Sequence, residues 1–351
     1  MSSALLSPEL LGHDLDRFDC IIDARSPAEY ALDHIPGAIN CPVLNNEERA
    51  TVGTLYKQES PFAAKKLGAA LVAKNIANHL QEHFIHQPRE WRPLVYCWRG
   101  GERSGAFAHI LQRIGWKAQQ LKGGYQGYRR QVIADLERWA PLAKFTVICG
   151  MTGSGKTRLL QALHGQTQVL DLEDLAAHRG SVLGGLPNQA QPSQKMFESR
   201  LWNALRQFKF DQTIYVESES KKVGCLHIPD ALMDQIRQGD CVEIKADRSV
   251  RVDVLMQEYV HLLSNHDELQ HLLSLLTQRY GKEQITKWQQ LATEGRYPAL
   301  VEELLIKHYD PAYEDSIARN FSQYKNARSL TVPSAEQTSY LDLAQQFLQS
   351  S

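Results

Sequence analysis

No stretch of this 351-residue chain holds the ~20 consecutive apolar residues that a membrane-crossing helix needs. Its first residues also lack the basic start and long apolar run of a secretory signal. The six cysteines, Cys20, Cys41, Cys97, Cys149, Cys225 and Cys241, contain no CxxC pair and no regular spacing, which argues against a disulfide framework and against a zinc site. Neither sign of charge dominates: 39 Lys and Arg face 40 Asp and Glu, a formal net charge of -1. A polyanion must therefore meet a local basic surface, for which Lys221 with Lys222, Arg248 with Arg251, and Arg129 with Arg130 are candidates. Internal repeats and low-complexity tracts are missing too. These absences together lead to the expectation of a cytoplasmic protein in a reducing setting.

What is present is ordinary globular sequence, 43% hydrophobic and 23% charged, in a chain long enough for two cores. The stretch Pro93-Leu94-Val95-Tyr96-Cys97-Trp98-Arg99-Gly100-Gly101-Glu102-Arg103-Ser104-Gly105 is the most informative. An apolar strand ends abruptly in a cysteine, followed by a glycine-rich loop bearing two arginines. At a strand's carboxyl end, the N-H groups of the next turn and helix start converge on the sulfur and on a bound anion. Arg99 and Arg103 favour the thiolate, the nucleophilic form, so Cys97 and Arg103 are the candidate catalytic pair. Trp98, Arg99, Gly100, Gly101, Glu102 and Ser104 form the anion loop around them.

Upstream, Asp19 to Arg25 is a short strand, and Ser26-Pro27-Ala28-Glu29-Tyr30 a capped helix start with proline at its first position. A turn at His34-Ile35-Pro36-Gly37 leads to another strand, residues 54 to 83 are mainly helical, and Ser104 to Ile114 is a further helix. Residues 118 to 121 form a strand ending in Lys122-Gly123-Gly124-Tyr125. The segments Asp23 to Tyr30 with His34 to Ala38, and Leu121 to Gly124, resemble the opening and closing signatures of rhodanese domains. Cys97 falls where that family carries its sulfur-loading cysteine. The resemblance spans residues 10 to 138 and departs at one point. The common rhodanese loop holds six residues, whereas Cys97 to Arg103 is Cys-x5-Arg, the form of rhodanese-fold phosphatases.

A boundary at Arg138 to Ala143 divides the chain into a domain of residues 1–140 and one of 141–351. The second opens with the β-branched run Lys144 to Cys149, followed by Gly150-Met151-Thr152-Gly153-Ser154-Gly155-Lys156-Thr157 and a helix over 158 to 164. This is a phosphate-binding loop in its proper strand-loop-helix context. Gly150, Thr152, Gly153, Ser154 and Gly155 wrap a phosphate, Lys156 neutralises it, and Thr157 is placed to ligate Mg²⁺ if a metal is present. Asp171, in a strand read over 169 to 174, and Glu217, at the end of the strand from Thr213, are the candidate acids for metal or substrate. The glycine-rich segment 180 to 187 reads as a mobile substrate loop. Helices fill residues 252 to 310 until Tyr309-Asp310-Pro311-Ala312-Tyr313 breaks them, and a strand near 329 to 332 and a helix over 334 to 348 close the chain. The fold class is α/β: a rhodanese-like domain, then a P-loop parallel-sheet domain with C-terminal helical additions.

A rhodanese unit fused to a P-loop unit, with Val216-Glu217-Ser218-Glu219-Ser220 and Val223-Gly224, resembles the tRNA 2-selenouridine synthase family nearly end to end. That resemblance implies replacement of sulfur by selenium at position 2 of the wobble uridine of certain tRNAs. Selenophosphate is the implied selenium donor and geranyl diphosphate the implied alkyl donor. The 2-thiouridine is first geranylated on sulfur, and the geranylthio group then leaves as selenium enters. Tightly bound cofactors are not expected, and the enzyme that produces selenophosphate is an implied partner. On this reading Cys97 takes selenium from selenophosphate as a selanyl sulfide, Trp98 or Arg99 meets the nucleobase, and the P-loop cradles the diphosphate. A rhodanese-fold phosphatase or sulfurtransferase with an ATP-dependent P-loop domain is the alternative.

Overall fold

The structure is a computed structural model, described here for residues 5–181, 184–186 and 189–349. Two compact units emerge, one of residues 1–137 with 192–207, the other of 138–191 with 208–351. The segment 192–207 lies, in sequence, inside the stretch read as the second domain. It carries the helix Gln194–Leu205, whose face of Met196, Phe197, Ser199, Leu201, Trp202 and Leu205 is buried.

The first unit is a five-stranded parallel sheet made of β1 (Leu5–Leu6), β2 (Cys20–Asp23), β3 (Ala38–Asn40), β4 (Pro93–Tyr96) and β5 (Gln119–Leu121), in the order β1-β5-β4-β2-β3. All four residues of β4 are buried, as expected of a central parallel strand covered on both faces. Asp23 lies opposite Tyr96, so Ala24 and Cys97 leave the sheet side by side at its carboxyl edge. The core beneath is built from Ile22, Val95, Phe84, Trp91, Phe107 and Leu111. The region expected to be helical over 54 to 83 is two helices, Asn46–Gln58 and Pro61–His79. Ser60 caps the second from Ala63 N-H and Pro61 begins it, which is why the chain breaks there.

The second unit is also a five-stranded parallel sheet. It is made of β6 (Lys144–Cys149), β7 (Gln168–Leu170), β8 (Thr213–Glu217), β11 (Asp240–Ala246) and β12 (Arg328–Val332), with a small hairpin of β9 (Lys222–Val223) and β10 (Leu226–His227) beside it in sequence. The order β12-β11-β6-β8-β7 puts β6 between strands whose connections run in opposite directions, and the crevice at that switch point is where open α/β sheets hold ligands. Leu159, Leu160 and Leu163 of the following helix, Lys156–Leu163, are fully buried against this sheet, each worth roughly 1.5–3 kcal/mol.

Two expectations are corrected. Asp171 does not end a strand of residues 169–174: β7 stops at Leu170 and Asp171 caps the helix Leu172–Ala176, its carboxylate accepting Asp174 N-H at 2.9 Å. Nor do residues 309 to 313 break the helical segment. A wide turn over Leu305–Tyr309 passes into the helix Asp310–Asn320, because Pro311 sits in its first turn, where a missing N-H costs nothing. Of the mobile loop read over 180 to 187, Val182, Leu183 and Pro187 lie outside the described residues.

Candidate functional site

The first site is the loop after β4. Cys97 is 3% exposed, and its sulfur accepts a hydrogen bond from Ser104 Oγ at 3.1 Å. Ser104 is reached through the helix Glu102–Ile114, whose N-terminus follows Gly101. The loop is pinned from below by the closing signature: Tyr125 N-H donates to Cys97 carbonyl at 2.8 Å and Gln126 N-H to Trp98 carbonyl at 3.1 Å. Gly124, at φ +54°, has no room for a side chain, since a Cβ would lie 2.2 Å from the Cys97 carbonyl oxygen. That contact is the physical content of Gly123-Gly124 in the sequence. Among the described residues, the N-H groups of Trp98 to Arg103 donate to no protein acceptor and remain available to an anion.

Arg103 lies in this site, its Nη1 donating to Glu29 Oε2 at 3.1 Å, and Arg49 meets the same oxygen at 3.1 Å. Burial works against a charge on Glu29, but Arg103 and the Ser26 N-H outweigh it and hold the carboxyl below its ordinary range. Trp98 stacks on Tyr125, ring centroids 5.2 Å apart, and both line an open cavity of about 480 Å³ with Arg25, Glu29, Arg49 and Lys195. Arg99 and Glu102 are exposed. The opening signature has a structural role: Asp23 and Arg25, both fully buried, form an ion pair at 2.6 Å, and Arg25 lies over the Tyr125 ring at 4.0 Å. Burial pushes the Cys20 thiol up to about 11 and the Cys41 thiol up to about 12, which removes both as nucleophiles.

The second site is the loop Gly150 to Thr157. Gly155, at φ +78°, turns into the helix where a Cβ would strike the Tyr340 ring at 2.3 Å. Lys156 Nζ donates to Gly150 carbonyl at 2.8 Å, and Gly150 N-H donates to the Tyr313 hydroxyl at 2.7 Å. Ser154 Oγ is buried with no hydrogen-bond partner among the described residues. Thr157 Oγ1 donates to Glu173 at 3.1 Å and lies 3.3 Å from Glu217. The carboxylates of Glu173, Glu217 and Glu219 come within 4.8 Å of one another. Burial, and then the neighbouring acids, raises all three carboxyls, Glu173 to about 8 and Glu217 well above its ordinary value. Three hard oxygen donors beside a hydroxyl suit Mg²⁺, and a cation would remove the repulsion that now keeps protons on them. Asp171 stands behind this group as a helix cap, its own carboxyl raised by burial.

The phosphate cleft has a volume of about 360 Å³ and is lined by Thr152, Lys156, Glu173, Glu219, Arg279 and Tyr313 among others. It shares Thr152, Leu255, Tyr259 and Tyr309 with an apolar cavity whose other walls are Leu262, Leu263, Leu269, Leu300, Val301 and Leu304. The helical additions thus enclose a small apolar cavity, about 50 Å³, whose walls include residues of the phosphate cleft.

The sequence alone does not mark Glu29, Glu173, Glu219, Gln120 or the apolar cavity as parts of a site. Glu219 was visible as the second acid of Val216-Glu217-Ser218-Glu219, whereas the others converge only through the fold. Arg251, offered as part of a basic surface, is corrected: it is 4% exposed and paired with Asp310. Lys221 is paired with Asp230, and Arg129 with Glu198.

Residues 143–338 match the family model for the tRNA 2-selenouridine synthase AAA domain, and residues 7–131 match the rhodanese-like domain. A tRNA 2-selenouridine synthase of Alcanivorax borkumensis is 33% identical over 85% of this chain and 90% of its own length. One of Nitrosomonas europaea is 39% identical over 68% of this chain, and the match spans 63% of that relative, less than two thirds of it. Among solved structures, the N-terminal domain of a putative ATP/GTP binding protein from Clostridium difficile 630 is 35% identical, covering 32% of this chain and 88% of its own, with a TM-score of 0.30. No helix among the described residues is long and apolar enough to cross a membrane. On the family model and on these relatives, the chain belongs to the tRNA 2-selenouridine synthase family.

Proposed function

We propose that this protein replaces sulfur by selenium at position 2 of the wobble 2-thiouridine of tRNA, in the cytoplasm, using geranyl diphosphate and selenophosphate in turn. The observation that carries the reading is the small apolar cavity, about 50 Å³, that shares Thr152, Leu255, Tyr259 and Tyr309 with the phosphate cleft. A nucleotide's base and ribose need polar partners, whereas a prenyl diphosphate needs a charged cradle joined to an apolar slot.

In the P-loop unit, Lys156, the loop N-H groups other than those of Gly150 and Ser154, and the Ser154 hydroxyl hold the diphosphate and stabilise the charge that grows on it as the geranyl carbon leaves for the uridine sulfur. Thr157, Glu173, Glu217 and Glu219 would hold Mg²⁺, which supplies further charge neutralisation when bound. The allylic chain lies against Leu255, Leu300, Val301 and Leu304. In the rhodanese-like unit, Cys97 is the nucleophile that opens selenophosphate, with Trp98 and Tyr125 offering an aromatic surface to the base.

The test is sequential incubation of a 2-thiouridine-bearing tRNA with geranyl diphosphate, then selenophosphate, with mass spectrometry of the nucleosides at each stage. S-geranyl-2-thiouridine followed by 2-selenouridine is the expected order. Hydrolysis of a simple aryl phosphate dependent on Cys97, or ATP turnover without any modified nucleoside, would instead favour the phosphatase or sulfurtransferase alternative.

A further inference from the structure

We propose that Cys97 takes the phosphoryl group of selenophosphate, not its selenium, and that the Ser104–Gln120 pair is built to release that phosphoryl group to water. The proposal rests on selenophosphate being the substrate of the Cys97 loop, as read above, and changes which atom the sulfur attacks.

Electron counting sets the choice. If the Cys97 thiolate attacked selenium, the Se–P bond would break with its pair on phosphorus, and the departing group would be phosphite, with phosphorus reduced. If it attacks phosphorus, an S–P bond forms as the P–Se bond breaks, and the pair leaves on selenium as hydrogenselenide: Cys97–S⁻ plus HSe–PO₃²⁻ gives Cys97–S–PO₃²⁻ plus HSe⁻. No oxidation state changes. Hydrogenselenide is a strong nucleophile and adds at C2 of the S-geranylated uridine. It expels geranylthiolate there and leaves its proton on the new selenouracil. Water then attacks the cysteinyl phosphate, the S–P bond breaks with its pair on sulfur, and dihydrogen phosphate leaves with the Cys97 thiolate restored.

The geometry is that of a phosphoryl site. Cys97 to Arg103 is Cys-x5-Arg, and among the described residues the N-H groups of Trp98 to Arg103 are unengaged, a row of donors for phosphoryl oxygens. Arg103 commits only Nη1 to Glu29 among the described residues, leaving the rest of its fork for phosphoryl oxygens. The last step needs sulfur as a leaving group, and here Gln120 enters. The two N-H bonds of its Nε2 are shared among the Gly100 carbonyl at 2.8 Å, the Gly101 carbonyl at 3.1 Å and Ser104 Oγ at 2.9 Å. Ser104 has two places to send its own proton, the Gly101 carbonyl at 3.4 Å and the Cys97 sulfur at 3.1 Å. Gln120 satisfies the carbonyl and fills a lone pair of the hydroxyl, so the proton points at sulfur. Gln120, 5% exposed on β5, is thus a positioning residue acting through Ser104.

The test uses the full chain and two batches of selenophosphate, one labelled with ³²P and one with ⁷⁵Se, without RNA and quenched in acid. Expected is ³²P on the Cys97 peptide, resistant to dithiothreitol, with ⁷⁵Se released to solution. In H₂¹⁸O the released phosphate gains one ¹⁸O. Ser104→Ala and Gln120→Met each slow loss of the ³²P label by about tenfold, the worth of one hydrogen bond to a charged group, while still acquiring it. Gln120→Glu, which keeps the shape but accepts where glutamine donates, does the same, so a folding defect is separable from a lost donor. Selenium on Cys97 that dithiothreitol releases, phosphite as product, or neither label on Cys97 in any of these variants overturns the proposal. If 2-selenouridine still forms in the separate sequential incubation with tRNA, only the cysteinyl phosphate is wrong; if none forms there, the assigned function fails.

Discussion

The guanidinium of Arg251 is clamped by Asp310, Nη1 to Oδ2 at 3.1 Å, and donates from Nε to the Thr152 carbonyl at 2.8 Å. An ion pair from the helical additions thereby fixes the main chain of the phosphate loop. Asp310→Asn strands a buried cation and should lower stability by about 3 kcal/mol, read by denaturant unfolding, and weaken geranyl diphosphate binding. Unchanged stability would mean the pair is not closed in solution.

Lys156→Ala should reduce geranyl transfer by at least about a hundredfold, because the growing charge on diphosphate loses its only flexible cation in the loop. Selenation of tRNA supplied already geranylated should continue. Loss of both activities contradicts a division of labour between the two loops.

Cys97→Ser should have the opposite phenotype, accumulating S-geranyl-2-thiouridine in tRNA. Normal selenouridine in that variant, measured by nucleoside mass spectrometry, removes Cys97 from the chemistry altogether.

Val301→Phe narrows the apolar chamber without adding polarity. The KM for geranyl diphosphate should rise several-fold, while dimethylallyl diphosphate, half as long, is affected less. Equal effects on both donors would place the chain elsewhere.

Burial raises the Glu173 carboxyl to about 8 and also lifts the Glu217 carboxyl well above its ordinary value. The folded protein therefore holds protons that the unfolded chain releases above its ordinary carboxyl range, so this part of the stability is present in acid and is lost as pH rises toward about 8. Melting temperature should fall across that window, Mg²⁺ should restore it near the top, and Glu217→Gln should flatten the slope and lessen the Mg²⁺ effect. A Glu217→Gln profile parallel to the wild type would show that these acids are not the cause.

Local chemistry was legible in the sequence and convergence was not. Gly150 to Thr157 spells out its own backbone needs in consecutive residues, and the run Pro93 to Tyr96 announces a central strand that delivers Cys97. Glu29 and Gln120, by contrast, sit 68 and 23 positions from Cys97 on either side and reach its loop only because β2 and β5 flank β4. The face of Gln194–Leu205 reads as apolar whichever core it covers, so nothing in its periodicity assigns it to the first unit.

That assignment bears on the order of synthesis. Trp202 Nε1 donates to Asp135 at 2.9 Å and Ser199 Oγ to Asp33 at 2.9 Å, bonds that need a helix translated after β6 and β7. Tyr125 and Gln131 already hold Asp33 and Asp135 in the emerging rhodanese-like unit, but these two further bonds form only once the ribosome has passed the phosphate loop. A gene cut at Arg138 would release that unit without its last helix, and a working excision of the Cys97 loop would have to graft residues 192–207 back on.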